Sequence, residues 1–152
     1  MALDRESQSG AAFKQALDVI EEGHVALIYP EGTRRTDGTI GDFKPLVGRL
    51  SLQTQTPVLP LYLKGAFDAF PKGSMVPKAR QLSVHIGPPL PAEELHRLTA
   101  HLAPVQAARE ATTWIRKSVL RLSQGKTLDL RSIPTPTQEN ATRGDPKTNL
   151  SS

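Results

Sequence analysis

Apolar positions recur at helical spacing near the start of the chain and then crowd into an unbroken run. Ala12, Phe13, Ala16, Leu17 and Ile20 fall on one face of a 3.6-residue period, and Gly23 is a suitable stop. This spacing predicts an amphipathic helix over residues 9–22, with Ser9 as its cap. Val25-Ala26-Leu27-Ile28 follows and ends at Tyr29, the pattern of a strand covered on both faces. Residues 30–41 read as a loop, with Asp37-Gly38 a turn signal. Asp42 is placed to cap a helix reaching about Thr54, with Pro45 tolerated in its first turn. Phe43, Leu46, Val47 and Leu50 form its apolar side. Val58 to Leu63 reads as a second buried strand. Strand, helix and strand in this order predict an α/β fold, a right-handed crossover in a mostly parallel sheet flanked by helices.

Further on, the pattern loosens. Residues 65–79 are irregular, and Phe67, Phe70 and Met75 stand among Pro71, Gly73 and Pro77. They form either a wall for an apolar ligand chain or a packed loop. Leu82, Val84 and Ile86 alternate as a half-buried strand near a sheet edge, with His85 facing away from them. Gly87-Pro88-Pro89-Leu90-Pro91 breaks the chain before helices over residues 92–103 and 105–122. Val105, Ala108, Ala111, Ile115, Val119 and Leu122 make one stripe on the second helix. Trp114, Arg116, Lys117 and Arg121 give it an aromatic and basic face, which suits either a membrane surface or an ordinary docked helix. From Ser123 onward polar residues and proline dominate. The expectation is a partial domain over residues 1–122 and a disordered tail over 123–152, most surely after Ile133.

Composition narrows the partners. The 152 residues suffice for one domain with a core. Lys and Arg number 19 against 15 Asp and Glu, a net charge of +4 that favours anionic partners, including an anionic membrane surface. The basic residues are interspersed with acids and aromatics are only 5%, so no nucleic acid is expected as partner. The absence of Cys removes thiolate chemistry and Cys-based metal sites. No segment approaches the roughly twenty apolar residues of a membrane span, and no signal peptide is visible. The expectation is a cytoplasmic protein, peripheral at the membrane, with an N-terminal anchor left open if Met1 is not the true start.

The chemistry concentrates at Tyr29-Pro30-Glu31-Gly32-Thr33-Arg34-Arg35. Here the chain leaves an apolar run and at once presents an acid, a glycine, a hydroxyl and two guanidinium groups. Gly32 lets backbone come close to a ligand. Thr33 offers a hydroxyl donor, and Arg34 can grip a phosphate with two parallel hydrogen bonds. Glu31 repels phosphate, so its task is to orient an Arg or accept a hydrogen bond from a ligand hydroxyl. A bare Glu-Gly-Thr-Arg would read as a turn with a solvated charge cluster. Tyr29-Pro30 and the apolar run before it make the signal more specific.

This block resembles the phosphate-binding motif of the glycerolipid acyltransferases, the family of 1-acylglycerol-3-phosphate acyltransferases. Tyr29 stands where that motif has Phe, and Arg35 where it has a small residue. Pro57-Val58-Leu59-Pro60-Leu61-Tyr62-Leu63 is similar to the family's apolar block with two prolines, and Asp42-Phe43-Lys44 to its Phe-Lys step. Ala2-Leu3-Asp4-Arg5 resembles the end of a further motif whose Arg approaches the phosphate. The resemblance covers residues 2–122. It implies transfer of an acyl group from acyl-CoA or acyl-carrier protein to lysophosphatidic acid, giving phosphatidic acid. The acceptor would be a lysophospholipid or glycerol phosphate and the donor an acyl thioester, with no cofactor and no metal. Arg5, Glu31, Gly32, Thr33, Arg34 and Lys44 would hold the phosphate. Pro57, Val58 and Pro60 would form the pocket wall.

One motif of the family is missing. Its catalytic pair is a His followed by four residues and an Asp. Five positions after His24, His85, His96 and His101 stand Tyr29, Leu90, His101 and Gln106. No catalytic residue is therefore assigned, and the chain alone is expected to be inactive. The expectation is a C-terminal portion of a longer protein, with a miscalled start or a true truncation as alternatives. A non-catalytic phospholipid-binding or regulatory module is the rival function.

Overall fold

The computed structural model of the chain describes residues 5–32, 38–69 and 78–136, with side chains from residue 10. Helix α1, Arg5–Glu21, begins earlier than its apolar spacing suggests and runs through Ser9, which is therefore not its cap. It stops where expected. Gly23 has φ 84°, its N–H donates to Ile20 O at 3.0 Å, and His24 N–H donates to Val19 O at 3.1 Å. This paired closure is the usual glycine-ended helix terminus. Arg49 lies 4.0 Å over the Phe13 ring and ties α1 to the next helix.

The run after α1 departs from expectation. Residues 24–29 join no strand pair among the described residues, and Val25, Leu27 and Tyr29 are 95%, 68% and 77% exposed. An apolar run becomes a strand only when a neighbour takes its backbone groups. Instead a cavity of about 240 Å³ lies between this run and residues 57–61.

Helix α2, Leu46–Thr54, starts later than expected. Lys44 N–H donates to Pro30 O at 2.8 Å, which draws residues 42–44 out of the helix. Pro45 takes the N-cap position, and Asp42 is solvent-exposed and caps nothing. Helix α3, Ala66–Ala69, is a single turn, while Phe70 and Met75 lie outside the described residues.

Strands β1, Leu61–Lys64, and β2, Ser83–Ile86, pair antiparallel, with Leu61 opposite Ile86 and Lys64 opposite Ser83. Among the described residues no parallel pair occurs, so the fold is mixed α/β with a small antiparallel sheet. Val58 and Leu90 add one antiparallel bridge. The alternation in β2 holds, but its sense is reversed. Val84 and Ile86 are exposed, while His85 is half-buried, its ring centroid 5.9 Å from that of Tyr62. A period of two shows which side chains share a face, not which face is covered.

Helix α4, Ala92–Thr99, and helix α5, Pro104–Ser123, complete the core. Val47, Leu90, Leu95, Leu98, Ala111, Ile115 and Leu130 form one buried cluster. The α5 stripe is buried as read, except that Val105 is exposed. The chain beyond α5 is docked as far as Ile133. Leu130, on a 3-10 helix Leu130–Ser132, is 2% exposed, and Leu128 and Ile133 pack beside it. Arg97 staples this segment: Nη2 donates to Leu130 O at 2.9 Å and Nη1 to Thr135 Oγ1 at 2.7 Å, while Glu94 holds Nε at 2.7 Å. Three apolar side chains and a guanidinium suffice to order a segment whose composition reads as a tail.

Candidate functional site

The Glu31–Gly41 segment leaves α1's connector and returns to α2, and its base is closed three times. Pro30 O accepts from Lys44 N–H at 2.8 Å. One residue further in, Glu31 Oε2 accepts from Gly41 N–H at 2.8 Å. From the opposite side Arg116, on α5, donates through Nε to Gly41 O at 2.7 Å and through Nη2 to Ile40 O at 3.3 Å. The peptide groups flanking buried Gly41 thus sit between a carboxylate and a guanidinium. Charge-assisted bonds of this kind are among the stronger ones.

Gly32 makes the turn out of this base. Its φ is 69°, and its N–H donates to Tyr29 O at 3.2 Å. A side chain is disfavoured there by the positive φ, whereas the Lys44 side-chain end, 2.6 Å from the place of a Cβ, could move aside. Lys44 therefore lies across the glycine, with its ammonium at the start of the segment that carries Thr33 and Arg34. Thr33, Arg34 and the Arg5 side chain lie outside the described residues; Arg5 itself opens α1.

The structure brings Glu31, Gly32 and Lys44 together at one loop base. Pro57, Val58 and Pro60 are elsewhere, on the wall of the 240 Å³ cavity, whose floor includes Phe43, Val47 and Leu50. Pro30 borders both places, so the cavity begins where the loop starts. The Glu31 partner is a backbone amide, a role that neither sequence alternative anticipated.

The histidines divide by surroundings. His24 borders the cavity and is exposed, 3.9 Å from Glu22 Oε2. His85 lies against Tyr62 in a tilted contact, the ring planes at 60°. His96 Nε2 lies 2.9 Å from Leu52 O and 2.7 Å from Gln55 Nε2, tying α4 to the C-terminal end of α2. Among the described residues no group of three or more His, Asp or Glu side chains is arranged to hold a metal.

The basic residues of α5 make contacts within the chain, while Lys117 and Arg121 stay exposed. Trp114 packs against the core with Lys117 Nζ 3.9 Å over its ring. Arg121 Nε donates to Thr127 O at 2.8 Å, and Arg116 serves the loop. Sequence reasoning missed Arg116 as a site residue. It stands 75 positions from Gly41, and no local pattern links the two.

A family model described as Acyltransferase matches residues 1–64. A 1-acyl-sn-glycerol-3-phosphate acyltransferase of Limnanthes douglasii is 34% identical over 95 residues, covering 60% of this chain and 34% of that protein. A chloroplastic 1-acyl-sn-glycerol-3-phosphate acyltransferase of Brassica napus is 34% identical over 61 residues, 40% of this chain and 18% of its own length. The alpha form of Homo sapiens is 32% identical over 68 residues, 45% of this chain and 24% of its own. No solved structure matches the chain. The chain spans at most about a third of the length of these relatives. The acyltransferase family model and relatives that share one name make the chain similar, over these residues, to the glycerolipid acyltransferases.

Proposed function

We propose that this chain is the acceptor-binding part of a 1-acylglycerol-3-phosphate acyltransferase. The observation that carries the reading is the closed loop base at Glu31 and Gly41, with the Lys44 ammonium laid over Gly32 beside the segment bearing Thr33 and Arg34. The acceptor is lysophosphatidic acid, whose phosphomonoester is held by Arg5, Thr33, Arg34 and Lys44. Its acyl chain runs along the apolar wall at Pro57, Val58 and Pro60. The donor is an acyl-CoA or acyl-carrier protein thioester. In the transfer the acceptor hydroxyl attacks the thioester carbonyl, an ester forms, and the thiol leaves with the proton.

That attack needs a base for the hydroxyl proton. The family's His and Asp pair has no counterpart in residues 1–152. The chain's task in this reading is to bind and orient the acceptor, and a segment bearing the pair supplies the chemistry. The run 25–29 and residues 58–63 would then be neighbouring strands of a mostly parallel sheet. We place the protein at the cytoplasmic side of an anionic membrane as a peripheral component; no described helix is long and apolar enough to cross a bilayer.

The second reading, a phospholipid-binding module without catalysis, is favoured by the same missing pair. Two measurements separate the readings. Calorimetric binding of a short-chain lysophosphatidate tests the site. Thioester release, with and without an upstream segment bearing His-x-x-x-x-Asp, tests the enzyme. Binding without any recoverable turnover supports the module.

A further inference from the structure

We infer that Arg116 is a positioning residue for the anion-binding segment, acting from α5 through the carbonyls of Ile40 and Gly41. The assignment rests on the phosphate reading of residues 31–34, but its geometry stands apart from it. The guanidinium reaches across 75 residues of sequence to bond Gly41 O at 2.7 Å, and its second arm reaches Ile40 O at 3.3 Å. The opposite side of Gly41 is held by Glu31 at 2.8 Å. The two ends of the segment are therefore joined at buried Gly41, and Gly41 is fixed to α5.

The arrangement explains two things that the sequence left open. Glu31, an acid inside an anion-binding block, has its charge directed at a backbone amide rather than at the ligand. Arg116, read from sequence as part of a basic face suited either to a membrane surface or to an ordinary docked helix, directs its guanidinium at the loop base. Its remaining charge partner is Asp42 Oδ1 at 3.6 Å, on an exposed side chain. A guanidinium engaged by two carbonyls and near a carboxylate is poorly suited to be a direct phosphate ligand. It is well suited to hold a loop, because its planar fork matches two neighbouring carbonyls and a Lys ammonium does not.

A loop held at its base binds a ligand more tightly, since fewer conformers must be given up on binding. Freeing the base lowers the binding-competent fraction and weakens affinity by that fraction.

The experiment uses the full chain with Arg116→Lys and Arg116→Gln. Amide exchange is read at Gly41, with the Val58 and Leu90 amides of the neighbouring bridge as internal reference. Affinity for a short-chain lysophosphatidate is read by calorimetry at several salt concentrations. Both variants are expected to lose about tenfold or more of the Gly41 protection, the scale of one charge-assisted hydrogen bond, with the reference amides unchanged. Both are expected to bind about tenfold more weakly, with the salt dependence of binding unaltered. Unchanged Gly41 protection would overturn the assignment. So would a Lys variant that binds like the unaltered chain while the Gln variant does not and its salt dependence is reduced, because that pattern marks a direct charge contact. Glu31→Ala removes the other bond that closes this base without touching α5, so it serves if the Arg116 variants do not fold. Failure of the unaltered chain to bind would overturn the phosphate reading, whereas Gly41 protection reports on the loop base with no ligand present.

Discussion

Gly48 and Thr112 join α2 to α5 at a close contact. The Gly48 N–H donates to Thr112 Oγ1 at 3.1 Å, and that hydroxyl also bonds Ala108 O at 2.9 Å. A Cβ on Gly48 would overlap Ala108 O and Thr112 Oγ1 and come within 2.7 Å of Thr112 N. Two helix backbones can pack this closely only where one of them lacks a side chain.

Gly48→Ala is therefore expected to destabilise the chain, although alanine is the better helix former. Overpacking against backbone costs about 1–3 kcal/mol, more than the roughly 1 kcal/mol of helix propensity gained. Urea unfolding of the variant checks this, and a midpoint at or above that of the unaltered chain would contradict the close approach.

Arg34→Lys is expected to weaken lysophosphatidate binding by about 1–3 kcal/mol, because a two-point fork becomes a point charge. Calorimetry on a folded variant is the measurement. Equal affinity would remove Arg34 from the proposed site.

Truncation should divide sharply around Ile133. Deleting from Pro134 onward is expected to leave the thermal midpoint nearly unchanged, since what it removes from the docked part is the exposed Arg97–Thr135 hydrogen bond. Leu130→Ala is expected to cost about 2–5 kcal/mol, as for other fully buried leucines. If both changes prove neutral, the segment after α5 does not dock.

Residues 1–152 alone should show no appreciable acyltransferase activity. Loss of a general base costs about 10²–10⁴-fold, and addition of a segment bearing His-x-x-x-x-Asp should recover turnover. Thioester release with a lysophosphatidate acceptor is the assay. Robust turnover by the chain alone would make His24, which borders the cavity, the first residue to replace.

The helices were legible because their signals are local. Gly23 closes α1 as its position suggests, and the α5 stripe from Ala108 to Leu122 is buried as its spacing requires. The sheet was less legible. The apolar run at residues 25–28 has strand character, but pairing is a property of two segments, and no described residue pairs with it. Leu130 stands with Leu128 and Ile133 in the last apolar cluster of the sequence, but its burial depends on Arg97 and α4, which composition does not reveal. In the candidate site, Glu31, Gly32 and Lys44 were readable as a group. Arg116 was not, because its partners are the main-chain carbonyls of Ile40 and Gly41, which leave no mark on residue type.

Thr112 and Arg116 stand one helical turn apart on α5, roughly 6 Å along its axis. The first receives Gly48 and the second receives Gly41. The stretch between those glycines is thus measured against a rigid scale at both ends. Adding or removing one residue between 41 and 48 would leave either the α2 crossing or the Gly41 contact without its partner. Changes of length should accordingly be rejected there, whatever residues are inserted.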